Sequence, residues 1–228
     1  MSYLLLIVIG LVSLGVQWRF RNKFKKHSEE GLLSGLSGAE VAERMLNDHG
    51  IYNVQVVAAE GQLSDHYNPA NHTVNLSSEV YYGRSVAAAA VAAHECGHAV
   101  QHAKAYGWLN LRTAIVPAIQ VASNIVQWTL MIGVMLLIFS GNPLILAIGV
   151  AALALVTVFS FITLPVEFDA SRRALAWLDN NYNVVQTRQE HDEAKDALWW
   201  AAMTYVVAAL SSLATLLYYA SLLSGRRR

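Results

Sequence analysis

Two histidines and a glutamate stand in the order His94-Glu95-Cys96-Gly97-His98. On an α-helix residues i and i+4 share one face, so the two imidazoles are placed to bind a single Zn²⁺ ion. Glu95 lies about 100° further round the helix, where its carboxylate can reach a water held by such an ion and take its proton. Zinc lowers the pKa of its water to about 7, which suits attack on a peptide carbonyl at neutral pH. The same five residues also describe a polar stripe on an amphipathic helix. Against that, Glu95 follows the apolar run 86–93 and is costly to bury without a partner.

A zinc site needs a third protein ligand. His102 continues the stripe, but at 1.5 Å rise per residue its Cα lies about 12 Å from that of His94. With Zn–N bonds near 2.0 Å, one ion does not take His94, His98 and His102 from an unbroken helix. His66 and His72 are further candidates without a favourable spacing. Glu167 is favoured, as the first charge after a long apolar run; an acid beside a membrane span is also simply solvated.

The elements that must position these groups are legible in part. Ser85 is placed to cap a helix running from 86 to about 106. Ser37-Gly38-Ala39-Glu40 is a capping box ahead of Val41, Met45 and Leu46, predicting a helix that ends near Gly50. β-branched and aromatic residues at 51–57 predict a strand. Asn68-Pro69-Ala70-Asn71 is a turn leading into a second short strand, 72–76. That second strand is either a sheet edge, offering main-chain groups to an extended peptide, or part of an internal hairpin.

Of the 228 residues, 55% are hydrophobic and only 14% charged. Soluble domains carry about 25% charged residues, so a water-soluble globule is excluded. The 16 basic and 16 acidic residues balance, which argues against nucleic acid as a partner. One cysteine excludes a disulfide framework and a multi-cysteine metal cluster. No Asp, Glu, Lys or Arg occurs in 113–166 or in 197–225. The first stretch exceeds the roughly 20 residues of one crossing and is broken by Ser140-Gly141-Asn142-Pro143. It predicts two antiparallel spans, 114–139 and 144–166, and the second stretch predicts another at 198–223. Residues 3–16 form a short fourth candidate, read as an uncleaved anchor.

Arg19, Arg21, Lys23, Lys25 and Lys26 follow that anchor, which places the next segment in the cytoplasm by the positive-inside rule. Arg172, Arg173, Arg188 and Lys195 agree; Arg226, Arg227 and Arg228 fall on the other side and break the rule. The expected organisation is an anchor over 1–18, a catalytic segment over 19–112, a transmembrane hairpin over 113–166, a segment over 167–196 carrying the third ligand, and a helix with basic tail over 197–228. The fold class is mainly α: a polytopic membrane protein of four spans with a small α+β cytoplasmic, zincin-like portion.

Val91-Ala92-Ala93-His94-Glu95-Cys96-Gly97-His98-Ala99-Val100-Gln101-His102, with Tyr81-Tyr82-Gly83-Arg84-Ser85 before it and Leu164-Pro165-Val166-Glu167-Phe168-Asp169-Ala170-Ser171-Arg172-Arg173 after it, resembles the YugP-like family of bacterial neutral zinc metallopeptidases. That family is distantly similar to membrane metallopeptidases of the HtpX type. The resemblance implies His94, His98 and Glu167 as zinc ligands, Glu95 as general base, and a peptide or membrane-protein substrate cut beside the bilayer. A non-catalytic, zinc-stabilised scaffold is the alternative. Relatives carry Asp four residues after the ligand glutamate to support a ligand histidine; here Ser171 occupies that place, and Asp169 is the candidate substitute.

Other residues carry weaker claims. Cys96 points away from His94 and reads as packing. Gly97 fits close approach of another segment. Arg172, Arg173 and His191 could steady a developing negative charge, or simply be solvated near a membrane.

Overall fold

The computed structural model describes residues 3–61 and 64–225. In chain order its elements are α1 (Tyr3–Glu29), α2 (Gly38–Asp48), β1 (Gln55–Ala59), β2 (His66–Asn68), β3 (Thr73–Ser77), α3 (Ser78–Tyr81), α4 (Val86–Ala103), α5 (Gly107–Phe139), α6 (Leu144–Asn180) and α7 (Arg188–Ser224). The protein is mainly helical with one small sheet. It divides into two compact units, one of residues 1–16, 110–164 and 204–228, the other of 17–109 and 165–203.

The first unit is built on apolar helix. Among the described residues three helices, α5, α6 and α7, are long and apolar enough to cross a bilayer, rather than the four expected. The exception is α1. Residues 3–16 rise about 21 Å as a helix, short of a hydrocarbon core about 30 Å thick, before the charges at Arg19, Arg21 and Lys23. In α5 and α6, Leu130, Leu137, Leu146 and Leu153 form a buried cluster. The turn between these helices uses Gly141 at φ +74°, and Asn142 Oδ1 accepts the Leu144 N–H at 2.9 Å. Hydroxyl pairs join the helices further, Thr157 with Ser212 at 2.7 Å and Ser13 with Ser211 at 3.0 Å. Arg226, Arg227 and Arg228 lie outside the described residues.

The second unit holds the histidine pair and Glu167. The predicted capping box forms: Ser37 N–H donates to Glu40 Oε2 at 2.7 Å, and Glu40 N–H donates to Ser37 Oγ at 3.3 Å. The helix it starts, α2, stops at Asp48, where Gly50 takes φ +70° and the Ile51 N–H returns to the Leu46 carbonyl at 2.9 Å. Ile51 is therefore consumed in ending the helix, and β1 begins four residues later than the residue types suggest. The sheet order is β1-β3-β2, with β1 parallel and β2 antiparallel to β3. The strand expected at 72–76 is thus central, hydrogen-bonded on both sides, and offers no free edge. The two edges are β1 and β2, and β2, at three residues, is too short to show a pattern in sequence.

Helix α4 packs with α2 and the sheet through Val41, Met45, Val74, Leu76 and the alanines at 88–90, 92 and 93, all nearly or wholly buried. Alanine keeps full helix propensity while letting neighbours approach closely. Ser85 caps this helix, its Oγ accepting the Ala88 N–H at 3.2 Å. Its first turn is also tied to the end of α1, because Val86 N–H donates to the Glu30 carbonyl at 3.1 Å and Leu32 N–H to the Arg84 carbonyl at 2.9 Å.

Candidate metal centre

On α4, His94 and His98 present their rings side by side, with centroids 4.8 Å apart and planes at 84°. Helix α6 brings Glu167 against them. Glu167 Oε2 lies 3.3 Å from His94 Nε2 and 3.7 Å from His98 Nε2, and the three ligand atoms fall within 4.8 Å of one another. A tetrahedral ion with bonds of 2.0–2.1 Å separates its ligand atoms by about 3.3 Å. The distances from Glu167 to both nitrogens lie near that value, and two imidazole nitrogens with one carboxylate oxygen are the donor types of a zinc site. His98 and Glu167 are buried, Glu167 at 3% exposed, and His94 is partly buried.

The far side of each ring decides which nitrogen faces the centre. Gln101 Nε2 donates to the Val166 carbonyl at 2.8 Å and to Asp169 Oδ2 at 2.9 Å, so its Oε1 must be the atom 3.0 Å from His98 Nδ1. That oxygen can only accept, and His98 Nδ1 carries the proton. The Nε2 lone pair is left for a ligand. His94 Nδ1 likewise faces a side chain, Ser171 Oγ at 3.1 Å. Orienting partners of this kind fix the tautomer and ring angle of metal-binding histidines. Burial alone would lower the His98 pKa, but its pairing with Glu167 outweighs that and raises it above the ordinary imidazole value.

Glu95 is also buried, and its Oε2 accepts the Tyr67 N–H of β2 at 3.0 Å. One edge strand of the sheet thus meets the carboxylate next to the histidine pair. Cys96 is fully buried, its thiol 3.5 Å from the Ala42 carbonyl, and burial pushes its pKa up. It packs as a neutral thiol.

The other histidines lie elsewhere. His102 Nδ1 is 2.8 Å from the Tyr67 hydroxyl, and its ring stacks on His72 at 5.7 Å. His66 Nδ1 faces the Ser64 carbonyl at 2.7 Å. His191 lies 3.7 Å from Asp179. Arg172 and Arg173 both pair with Asp169, Arg173 at 2.6 Å. Asp169 holds Gln101, and Gln101 holds His98. Sequence reasoning passed over Gln101; the available signal was an amide three residues after His98 in a helix otherwise lined with small apolar side chains.

Comparison with known proteins agrees with this donor set. A family model described as "putative neutral zinc metallopeptidase" matches residues 2–224. The protein "putative membrane protease YugP" of Bacillus subtilis (strain 168) is 40% identical over 225 residues, covering 98% of this chain and 97% of that one. No solved structure matches the chain.

Proposed function

The chain belongs to the neutral zinc metallopeptidase family, and from that premise we propose that it is a membrane-bound zinc endopeptidase acting on peptides or membrane-protein segments. The observation that carries the reading is the convergence of His94 Nε2, His98 Nε2 and Glu167 Oε2 at tetrahedral spacing, beside a buried carboxylate. These three residues would hold the ion, with Ser171 and Gln101 setting the two imidazole planes. Zinc, when bound there, polarises a peptide carbonyl and makes water acidic enough to yield hydroxide near neutral pH.

Glu95 does the proton work. Its carboxylate takes a proton from the attacking water and delivers it to the departing amine nitrogen, the usual exchange of base and acid roles within one turnover. The Tyr67 N–H holds one oxygen of Glu95 and leaves the other to move that proton. An extended peptide pairing with the outer edge of β2 would lie along the same carboxylate, since edge strands bind extended chains through main-chain groups. The basic residues Arg19, Arg21, Lys23, Lys25, Lys26, Arg172, Arg173, Arg188 and Lys195 all belong to the second unit, which supports a cytoplasmic placement for it.

The experiment is a comparison of membrane-fraction proteomes from cells carrying the wild type or Glu95→Gln. The variant should keep its metal and lose 10²- to 10⁴-fold in hydrolysis, about the worth of a general base, so uncut membrane proteins accumulate. Identical proteomes with zinc retained would instead favour a non-catalytic scaffold.

A further inference from the structure

A second cluster of metal-binding side chains lies apart from the first. His27, near the end of α1, is 2% exposed. Its Nε2 is 2.9 Å from Asp196 Oδ2, and Asp196 is itself 2.8 Å from Lys23 Nζ. On the other side of the ring, Nδ1 is 3.1 Å from Glu30 Oε2. Glu193, from the start of α7, adds a carboxylate oxygen, so that an atom from each of His27, Glu30 and Glu193 lies within 4.8 Å of the other two. Glu193 Oε1 also accepts from Gln189 at 2.9 Å, and Glu30 Oε1 lies 3.6 Å from Lys26 Nζ.

We propose that His27, Glu30 and Glu193 form a second zinc site with a structural role. Asp196 accepts a hydrogen bond from Nε2–H, so a neutral His27 ring turns its Nδ1 lone pair toward two carboxylates. Three acceptors then converge on one point, an arrangement that a bound cation satisfies. The His27–Glu30 spacing is close to the edge of a zinc tetrahedron, and one imidazole with two carboxylates is a donor set zinc accepts. A carboxylate on the far nitrogen of a ligand histidine, here Asp196, is the usual support for such a bond.

The location gives the site its purpose. The Glu30 carbonyl accepts the Val86 N–H, the first residue of α4, and Gly31 bridges to Ser85, the cap of that helix. Two residues further on, Leu33 N–H donates to Glu190 of α7 at 2.7 Å. An ion shared by Glu30 and Glu193 therefore fastens the start of the helix bearing His94 and His98 to α7.

Metal counting on the full-length protein, loaded with zinc in detergent and dialysed, tests this. Wild type should retain two zinc ions per chain. Glu193→Gln, a substitution at a partly exposed position, should retain one fewer, and Glu30→Gln gives the same readout by an independent route. His94→Ala should lose a different ion, so its double variant with Glu193→Gln retains none. A zinc content unchanged by both Glu193→Gln and Glu30→Gln overturns the proposal and leaves a proton between the His27 ring and the carboxylates. Because the readout is the loss specific to Glu193 and Glu30, it stands whether or not His94→Ala changes the count.

Discussion

Gly97 faces the main chain of Ala170, and a Cβ added at Gly97 would stand 2.6 Å from the Ala170 carbonyl oxygen. This contact lets α4 and α6 approach closely enough for Glu167 to meet both histidines. It also accounts for a glycine in the middle of a helix, where it costs about 1 kcal/mol against alanine. Gly97→Ala should lower stability by about 1–3 kcal/mol through overpacking against backbone that cannot turn aside. It should also weaken zinc binding, because Ala170 and Glu167 ride on the same turn of α6. Thermal unfolding and zinc titration of the variant check both effects; unchanged zinc affinity would show that Glu167 tolerates the displacement.

The third ligand is separable by substitution. Glu167→Ala should release zinc from the centre. His102→Ala, which removes the partner of the Tyr67 hydroxyl and the stacking on His72, should leave occupancy intact. Metal analysis of the two variants decides, and the reverse pattern would reject the assignment of Glu167.

Gln101 is expected to act through His98. Gln101→Leu keeps the side chain's bulk but removes the acceptor for His98 Nδ1–H and the donor to Asp169. Loss of an orienting partner typically costs 10- to 100-fold in metal affinity. Competition with a chromophoric chelator measures it, and an affinity within twofold of wild type would argue against any orienting role.

Glu40 gives a pH dependence. The Ser37 N–H, the Ser37 hydroxyl and Arg84 hold its carboxyl below the usual value of 4.5. A carboxyl depressed in the folded state contributes stability above its unfolded pKa, and that contribution is lost as pH falls through the folded value. The difference in unfolding temperature between wild type and Glu40→Ala should therefore be full at pH 6 and shrink below about pH 4.5. A difference that stays constant down to pH 3 would contradict this.

How much was legible depended on whether a signal was local. The face-sharing histidine pair, the Ser37–Glu40 capping box, the Ser85 cap and the break at Ser140–Pro143 are short-range patterns, and each appears where its residue types place it. Gly97 carried a correct hint, since a glycine in an otherwise alanine-rich helix implies a close neighbour, though nothing local identifies Ala170. The hydrogen bonds of Gln101 to Val166 and Asp169 span more than sixty positions and left no periodic trace. The place of β3 in the sheet stayed open for a similar reason. Three residues of β2 cannot show alternation, so β3 could pass for an edge. The span count erred at α1 because its apolar run ends before a bilayer's depth is reached.

Both histidines of the pair are backed by uncharged groups, His94 by the Ser171 hydroxyl and His98 by the Gln101 amide. A carboxylate in either place would draw the ring toward imidazolate and push electron density onto the metal. With a hydroxyl and an amide, the rings remain weak donors, and Glu167 would supply the sole formal negative charge of the proposed ligand set. An ion held this way would keep more of its own positive charge for the proposed peptide carbonyl. The accompanying cost is a looser grip, so this centre should exchange its metal faster than one in which an aspartate stands at position 171.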